Sequence, residues 1–210
     1  MSAPARAFTV RHIQLLRAAF AAVAALMITF SSDHSAAVGL AVFSGFAIVT
    51  GFVLVIGAWL AVEPGRRWPY VVLAVIDVIA GLVAGIPAFR TDDVFFAVVV
   101  TWALLSGILE VIVGIRGRRE ADPLARDAIL IGALGILLAV VLLLIPAGYV
   151  TDYAIEGAGA FQLTGIILGV GMLGGYAALV AVFLGIAGLT PARTTSAPAA
   201  DAAPLPGGAA

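Results

Sequence analysis

Three ionisable residues stand in long apolar runs, where ionisable residues are costly: Arg17, Asp77 and Glu110. A charge at the centre of a lipid-embedded helix costs about 2.5–3.5 kcal/mol on insertion scales, so each should face other helices and have a partner. Arg17 lies about five residues from one end of its run, and Glu110 about as far from Arg116 on the same side. At 1.5 Å rise per residue both would sit roughly 8 Å deep. That shared depth points to an ion pair joining the first and fourth runs. The competing arrangement is two long side chains reaching separately to the headgroups. Asp77 is deeper, nine residues past Trp68, on one helical face with Gly81 and Gly85. Away from water it is a candidate protonation site, for a proton-coupled path or a pH-responsive helix contact. The plainer alternative is a hydrogen bond to a neighbouring helix and nothing else.

The elements that position these residues are read from run length. Between Arg66 and Glu120, Trp68–Phe89 and Val94–Ile115 flank the polar link Arg90-Thr91-Asp92-Asp93. Each run has about 22 residues, enough to cross a hydrocarbon core of roughly 30 Å as a helix. In lipid every backbone amide must be satisfied within the segment, so helix is the expected form. Ile13–Phe30, Ala37–Val62, Ala125–Ile145 and Ala160–Leu189 read the same way, broken by Ser31–Ser35, by Glu63-Pro64-Gly65 and by Pro146-Ala147-Gly148. The expected fold class is an all-α polytopic membrane protein, six transmembrane helices forming three tandem hairpins within residues 12–189. A short basic segment, 1–11, precedes them. Residues 190–210, rich in Pro, Ala and Gly, are expected to be a disordered tail. Tyr149–Gly159 reads as a looser link. The sixth run exceeds what a bilayer needs, so strong tilt or interfacial first turns are expected.

Composition agrees. Of 210 residues 63% are apolar and 11% charged, and mean hydropathy is +1.17, the balance of an integral membrane protein. The absence of cysteine excludes disulfides and Cys-based metal or redox sites. The absence of lysine and asparagine, with abundant Ala, Gly and Arg, fits a GC-rich bacterial origin. A cleavable signal peptide is the competing reading of the first run, but cleavage would leave the second run without its partner.

Orientation follows from the arginines. With six crossings, Arg6, Arg11, Arg66, Arg67, Arg116, Arg118, Arg119, Arg126 and Arg193 share one side, with Arg17 near it. The other side holds Arg90 beside Asp33, Asp92, Asp93, Asp152 and Glu156. Basic residues mark the cytoplasmic side, so both termini are expected inside a bacterial inner membrane.

An internal period supports three hairpins. A shift of 56 residues lays Phe46 on Trp102 and Thr50-Gly51 on Ser106-Gly107. A looser third copy sets Ile145-Pro146 against Ile86-Pro87, and Leu173-Gly174-Gly175 against Leu105-Ser106-Gly107. Small residues are expected where helices approach: Gly81 and Gly85, Gly107, Gly165 and Gly169, Gly171 and Gly175, and the Ala18, Ala22, Ala25 face.

RRWPYVVLAVIDVIAGLVAGIP followed by WALLSGILEVIVGIRGRRE resembles the HdeD family of acid-resistance membrane proteins, built of short repeated transmembrane hairpins. The resemblance rests on Trp68, the Gly-rich helix ending at Pro87, and Trp102, Gly107 and Glu110 leading into a basic link, and it covers most of 13–189. Asp77 and the long last run depart from that pattern. The resemblance implies a bacterial inner-membrane protein linked to acid stress, with no catalytic residues.

His12 and His34 read as solvated, and two histidines without cysteine make no metal site. Asp92-Asp93 and Asp152 with Glu156 read as solvated acidic loops. No motif supports an enzyme or a bound cofactor. The arginines are accounted for by topology and anionic lipid, not nucleic acid. The first expectation is thus a non-enzymatic stress-tolerance protein. The alternatives are a small proton-coupled transporter or channel using Arg17, Asp77 and Glu110, and a scaffold. Its partners are the lipid bilayer and, for a scaffold, another membrane protein or a second copy.

Overall fold

Helix starts and stops in this chain follow from a few hydroxyl, proline and arginine side chains. The computed structural model describes residues 8–120, 124–146, 148–155 and 159–190. Arg6, Asp122, Glu156, Arg193, most of the basic segment and nearly all of the tail lie outside the described residues. The helices are α1 (Val10–Thr29), α2 (Ala36–Ala61), α3 (Trp68–Gly85), α4 (Asp92–Arg119), α5 (Ala125–Leu144) and α6 (Gly165–Leu189). Between α5 and α6 run two strands, β1 (Val150–Ile155) and β2 (Gly159–Thr164). All six helices are long and apolar enough to cross a membrane, so the chain is a multi-pass helical membrane protein.

α2, α4 and α6 begin at the acidic end under a hydroxyl cap. Ser35, Thr91 and Thr164 each accept the backbone N–H three residues on, from Val38, Val94 and Ile167. Such caps satisfy amides that the helix leaves open. Ser35 and Thr91 are 56 residues apart, the period of the repeat. At the arginine-rich end, Arg67 donates to the Val62 and Trp59 carbonyls at 2.9 and 3.2 Å. Arg11 likewise donates to Gly188 and Leu189. These arginines close helix C-termini as well as setting charge. His12 is exposed, and its Nδ1 accepts the Thr9 N–H at 3.1 Å.

Four runs differ at their ends from those expected. The first begins at Val10 and not at Ile13, so the last two residues of the basic segment 1–11 are already helical. The third run ends as α-helix at Gly85 and not at Phe89, because proline at 87 holds Ile86 extended (φ −73°, ψ 115°) and a 3₁₀ turn, Pro87–Phe89, follows. The fourth outruns Val94–Ile115 at both ends. Asp92 and Asp93 in its first turn and Arg116, Arg118 and Arg119 in its last complement the helix dipole. The sixth starts at Gly165 and not at Ala160, so the first residues of the run are not helical turns. Residues 160–164 instead pair antiparallel with β1, Tyr153 opposite Phe161. Those rings stack at 5.8 Å, and Gln162 donates to Asp152 at 3.0 Å. Cross-strand pairs of this kind stabilise a hairpin locally. The link read as loose is therefore largely a strand.

The helices pack in a ring in chain order, with α1 returning to α6. Three times around it a close pair alternates with a looser one: α2–α3, α4–α5 and α6–α1 are close, α1–α2, α3–α4 and α5–α6 less so. The tightest packing is thus between consecutive hairpins and not within them. Glycine explains where. A Cβ at Gly51 would come 3.0 Å from the Ala74 carbonyl oxygen, one at Gly81 3.0 Å from that of Ser44, and one at Gly107 2.7 Å from that of Gly132. Gly51 and Gly107 do the same job one repeat apart. Ser44 reinforces α2–α3 by donating to the Gly81 carbonyl at 2.8 Å, and Gly85 lies against the Ser44 hydroxyl. Gly169 packs on Phe95 and Phe96. Gly165 is buried and donates its N–H to Tyr149 at 2.9 Å. On α6, Gly174 and Gly188 meet α1, at Ile28 and Leu15. Gly171 and Gly175 face open space, so that expected packing pair is not one. Ala18 and Ala25 of the smooth α1 face are buried.

Candidate functional site

Arg17 on α1 and Glu110 on α4 come from opposite sides of the ring and meet in its interior, Nη2 to Oε1 at 2.9 Å, with side chains 19% and 8% exposed. They pair with each other and do not reach separately to the headgroups. The helices extend past the apolar runs at this end, so both lie further from a helix terminus than from the end of a run. Arg17 is seven residues past Val10 and Glu110 nine before Arg119, roughly 10 and 13 Å in at 1.5 Å per residue.

Asp77 on α3 is buried and accepts the indole N–H of Trp102, from α4, at 2.7 Å. Residues equally far from a hairpin turn share a depth. Asp77 lies thirteen residues before Arg90 and Trp102 twelve after it, a coincidence readable in the sequence. The indole is locked in place. Phe43, Phe46 and Tyr176 meet it edge-on with centroids 5.0, 6.0 and 5.8 Å away. Its own carbonyl accepts the Ser106 hydroxyl at 2.7 Å.

The sequence reading did not assign Trp102, Thr50, Tyr176, Gln14 or Asp127 to a site. Gln14, one helical turn from Arg17, donates to Asp127 of α5 at 3.1 Å. Only its spacing from Arg17 hinted at a shared face.

Three cavities run in series from the arginine-rich end. The mouth, about 500 Å³, is bordered by Glu63, Arg66, Trp68, Arg116 and Glu120. Tyr70, Val113 and Leu124 also border the next space, about 80 Å³, which holds Gln14, Arg17, Glu110 and Asp127. Arg17, Leu73 and Glu110 in turn border the innermost, about 20 Å³, closed by Thr50, Asp77, Trp102 and Tyr176. Toward the acidic end stand Leu40, Phe43, Phe95, Val99 and Val170, each no more than 1% exposed. A Cβ at Gly39 would meet Val170 at 2.6 Å and Phe95 at 3.0 Å, so this layer leaves no room. The vestibule is one-sided.

Trp102→Phe keeps an aromatic ring against Phe43, Phe46 and Tyr176 but removes the donor to Asp77. A buried polar group left unpaired costs about 1–3 kcal/mol. The expected result is a loss of that size in unfolding experiments in detergent micelles, partly recovered by adding Asp77→Leu. A Trp102→Phe protein as stable as wild type would show that this hydrogen bond contributes little.

One guanidinium and two carboxyl groups meet here, so the cluster is electrically neutral with one proton bound. Six membrane-crossing helices ringed around it define the class: a polytopic helical membrane protein with an intramembrane polar centre. Set against protein-family models, curated proteins and solved structures, the chain matches none.

Proposed function

We propose that this chain is a non-enzymatic bacterial inner-membrane protein of the HdeD-like kind, serving acid or envelope stress tolerance, with Arg17, Glu110, Asp77 and Trp102 as its proton-responsive part. One observation carries this: the cluster borders the innermost of three neighbouring cavities that share walls in turn toward the arginine-rich end. Intramembrane ionisable groups that face a water-accessible cavity are the usual mark of a working site. The positive-inside rule makes the open face cytoplasmic. Protons then reach the cluster from the cytoplasm, while the phenylalanine layer shields it from outside. A proton gained or lost changes the charge beside the Asp77–Trp102 contact, which ties α3 to α4 across one of the looser seams of the ring. That is a local charge change acting on a contact between two helices.

Asp77→Asn tests the reading, since it retains a hydrogen-bonding side chain and removes titration. Cells carrying it are expected to survive acid challenge at least tenfold less well than wild type, with the protein folded and abundant. Equal survival would remove Asp77 from the function.

The serial cavities favour a second reading, a small proton-coupled transporter or channel. Proteoliposomes enclosing a pH-sensitive dye separate the two. Proton flux above that of protein-free vesicles, abolished by Asp77→Asn, supports transport. An acid phenotype without flux supports a sensor.

A further inference from the structure

We infer that the innermost cavity is a binding site for one water molecule, held by Thr50, Arg17 and Asp77, and that this water links Glu110 to Asp77. The water site stands on geometry alone; its use as a proton link rests on the function proposed above. Space is the first argument. The cavity is about 20 Å³, and a single water needs about 10–15 Å³ and two to four polar partners. The second is a pair of buried polar atoms on its walls with no protein partner, Thr50 Oγ1 and Arg17 Nε. Thr50 is 4% exposed and lies near the middle of α2, away from either end of the helix. Leaving such a group unsatisfied costs about 1–3 kcal/mol, and a water between them satisfies both. Asp77 supplies the acceptor, since Trp102 takes only one of its two oxygens.

The surroundings select water over a cation. Facing this space are Arg17 from α1, Asp77 from α3, Glu110 from α4 and Tyr176 from α6; α2 offers Thr50. The nearest charge on α5, Asp127, lies one cavity outward against Gln14. A guanidinium on the wall repels a metal ion and donates readily to a water oxygen. The repeat adds a comparison. Ser106 corresponds to Thr50 one period on and spends its hydroxyl on the Trp102 carbonyl, whereas Thr50, a residue of the cavity wall, has a hydroxyl without a protein partner.

With the water in place, proton movement balances. A proton on a Glu110 oxygen passes to the water as the water gives one of its own to an Asp77 oxygen. One O–H bond forms at Asp77, one breaks at Glu110, and the water is unchanged. The path ends there, under the phenylalanine layer.

Nuclear magnetic resonance of the ¹⁵N-labelled protein in micelles reads this at the indole N–H of Trp102, which borders the cavity. The chain has three tryptophans, and Trp102→Phe identifies the signal. Wild type and Thr50→Ser are expected to show magnetisation transfer from water to that N–H. Thr50→Val fills the same volume without the hydroxyl. It is expected to abolish the transfer and slow exchange of the N–H at least tenfold, the Trp59 and Trp68 signals staying in place. The Ser106 and Tyr176 hydroxyls persist in this variant, so they cannot account for a loss. No transfer in wild type, or unchanged transfer in Thr50→Val, overturns the inference. If Thr50→Val does not fold, the wild-type signal decides. Transfer as expected with unimpaired acid survival in Asp77→Asn would keep the water and discard the functional reading. The reverse pattern would do the opposite.

Discussion

Glu110→Gln is expected to destabilise the bundle by about 3–5 kcal/mol, because it leaves the Arg17 guanidinium buried opposite a neutral amide. Hydrogen bonds between transmembrane helices average only about 0.6 kcal/mol by double-mutant cycles, since the separated helices find other partners. An unpaired cation in the interior has no comparable substitute, so desolvation dominates and the larger figure applies. Arg17→Met with Glu110→Met should recover most of the loss, because two apolar side chains of similar volume need no partner. Exchanging the charges, Arg17→Glu with Glu110→Arg, should likewise be more stable than either single change. Equilibrium unfolding in mixed micelles measures all of these. A Glu110→Gln loss under about 1 kcal/mol, or a charge-exchanged protein no better than its parents, would mean that the 2.9 Å contact contributes little.

Gly132→Ala should have the other large effect. Its Cβ would lie 2.5 Å from the Gly107 carbonyl oxygen and 2.8 Å from the Val111 amide nitrogen. Both are backbone atoms, so no side-chain rotation relieves the clash and α4 must move away from α5. Overpacking of this kind costs about 1–3 kcal/mol, occasionally more. Gly107→Ala meets the same seam from the other side, and the two changes together should cost less than their sum, because the first already parts the helices. Gly175→Ala is the control. Nothing lies within 4 Å of its Cβ, and a surface change of this sort stays within about 0.5 kcal/mol. Melting curves of the three variants in one detergent decide the matter. Equal losses at Gly132 and Gly175 would contradict the packing described.

Much of the site was legible because depth is a one-dimensional quantity. Arg17 and Glu110 are each a similar distance from the arginine-rich end of their runs, and helix geometry turns that count into height. Asp77 and Trp102 obey the same rule about Arg90. Thr50 and Tyr176 carried no such mark. A hydroxyl or phenol in an apolar run is unremarkable until neighbouring helices close around it. Glycine spacing pairs Gly81 with Gly85, Gly165 with Gly169 and Gly171 with Gly175; Gly81, Gly85 and Gly169 do lie against neighbouring helices, but Gly171 and Gly175 do not, since spacing defines a face without saying what the face meets.

The solvent and the number of crossings are written in local stretches of the chain. Apolarity and run length are local properties, and lipid compels each such run to satisfy its own backbone. The clustering of ten of eleven arginines is local in the same sense. Tertiary structure alone decided that the close pairs join consecutive hairpins, that residues 160–164 form a strand, and that polar groups from α1, α2, α3, α4 and α6 line one small cavity. Those outcomes depend on which faces can approach within backbone contact and on cross-strand partners, and packing settles them for all the helices at once.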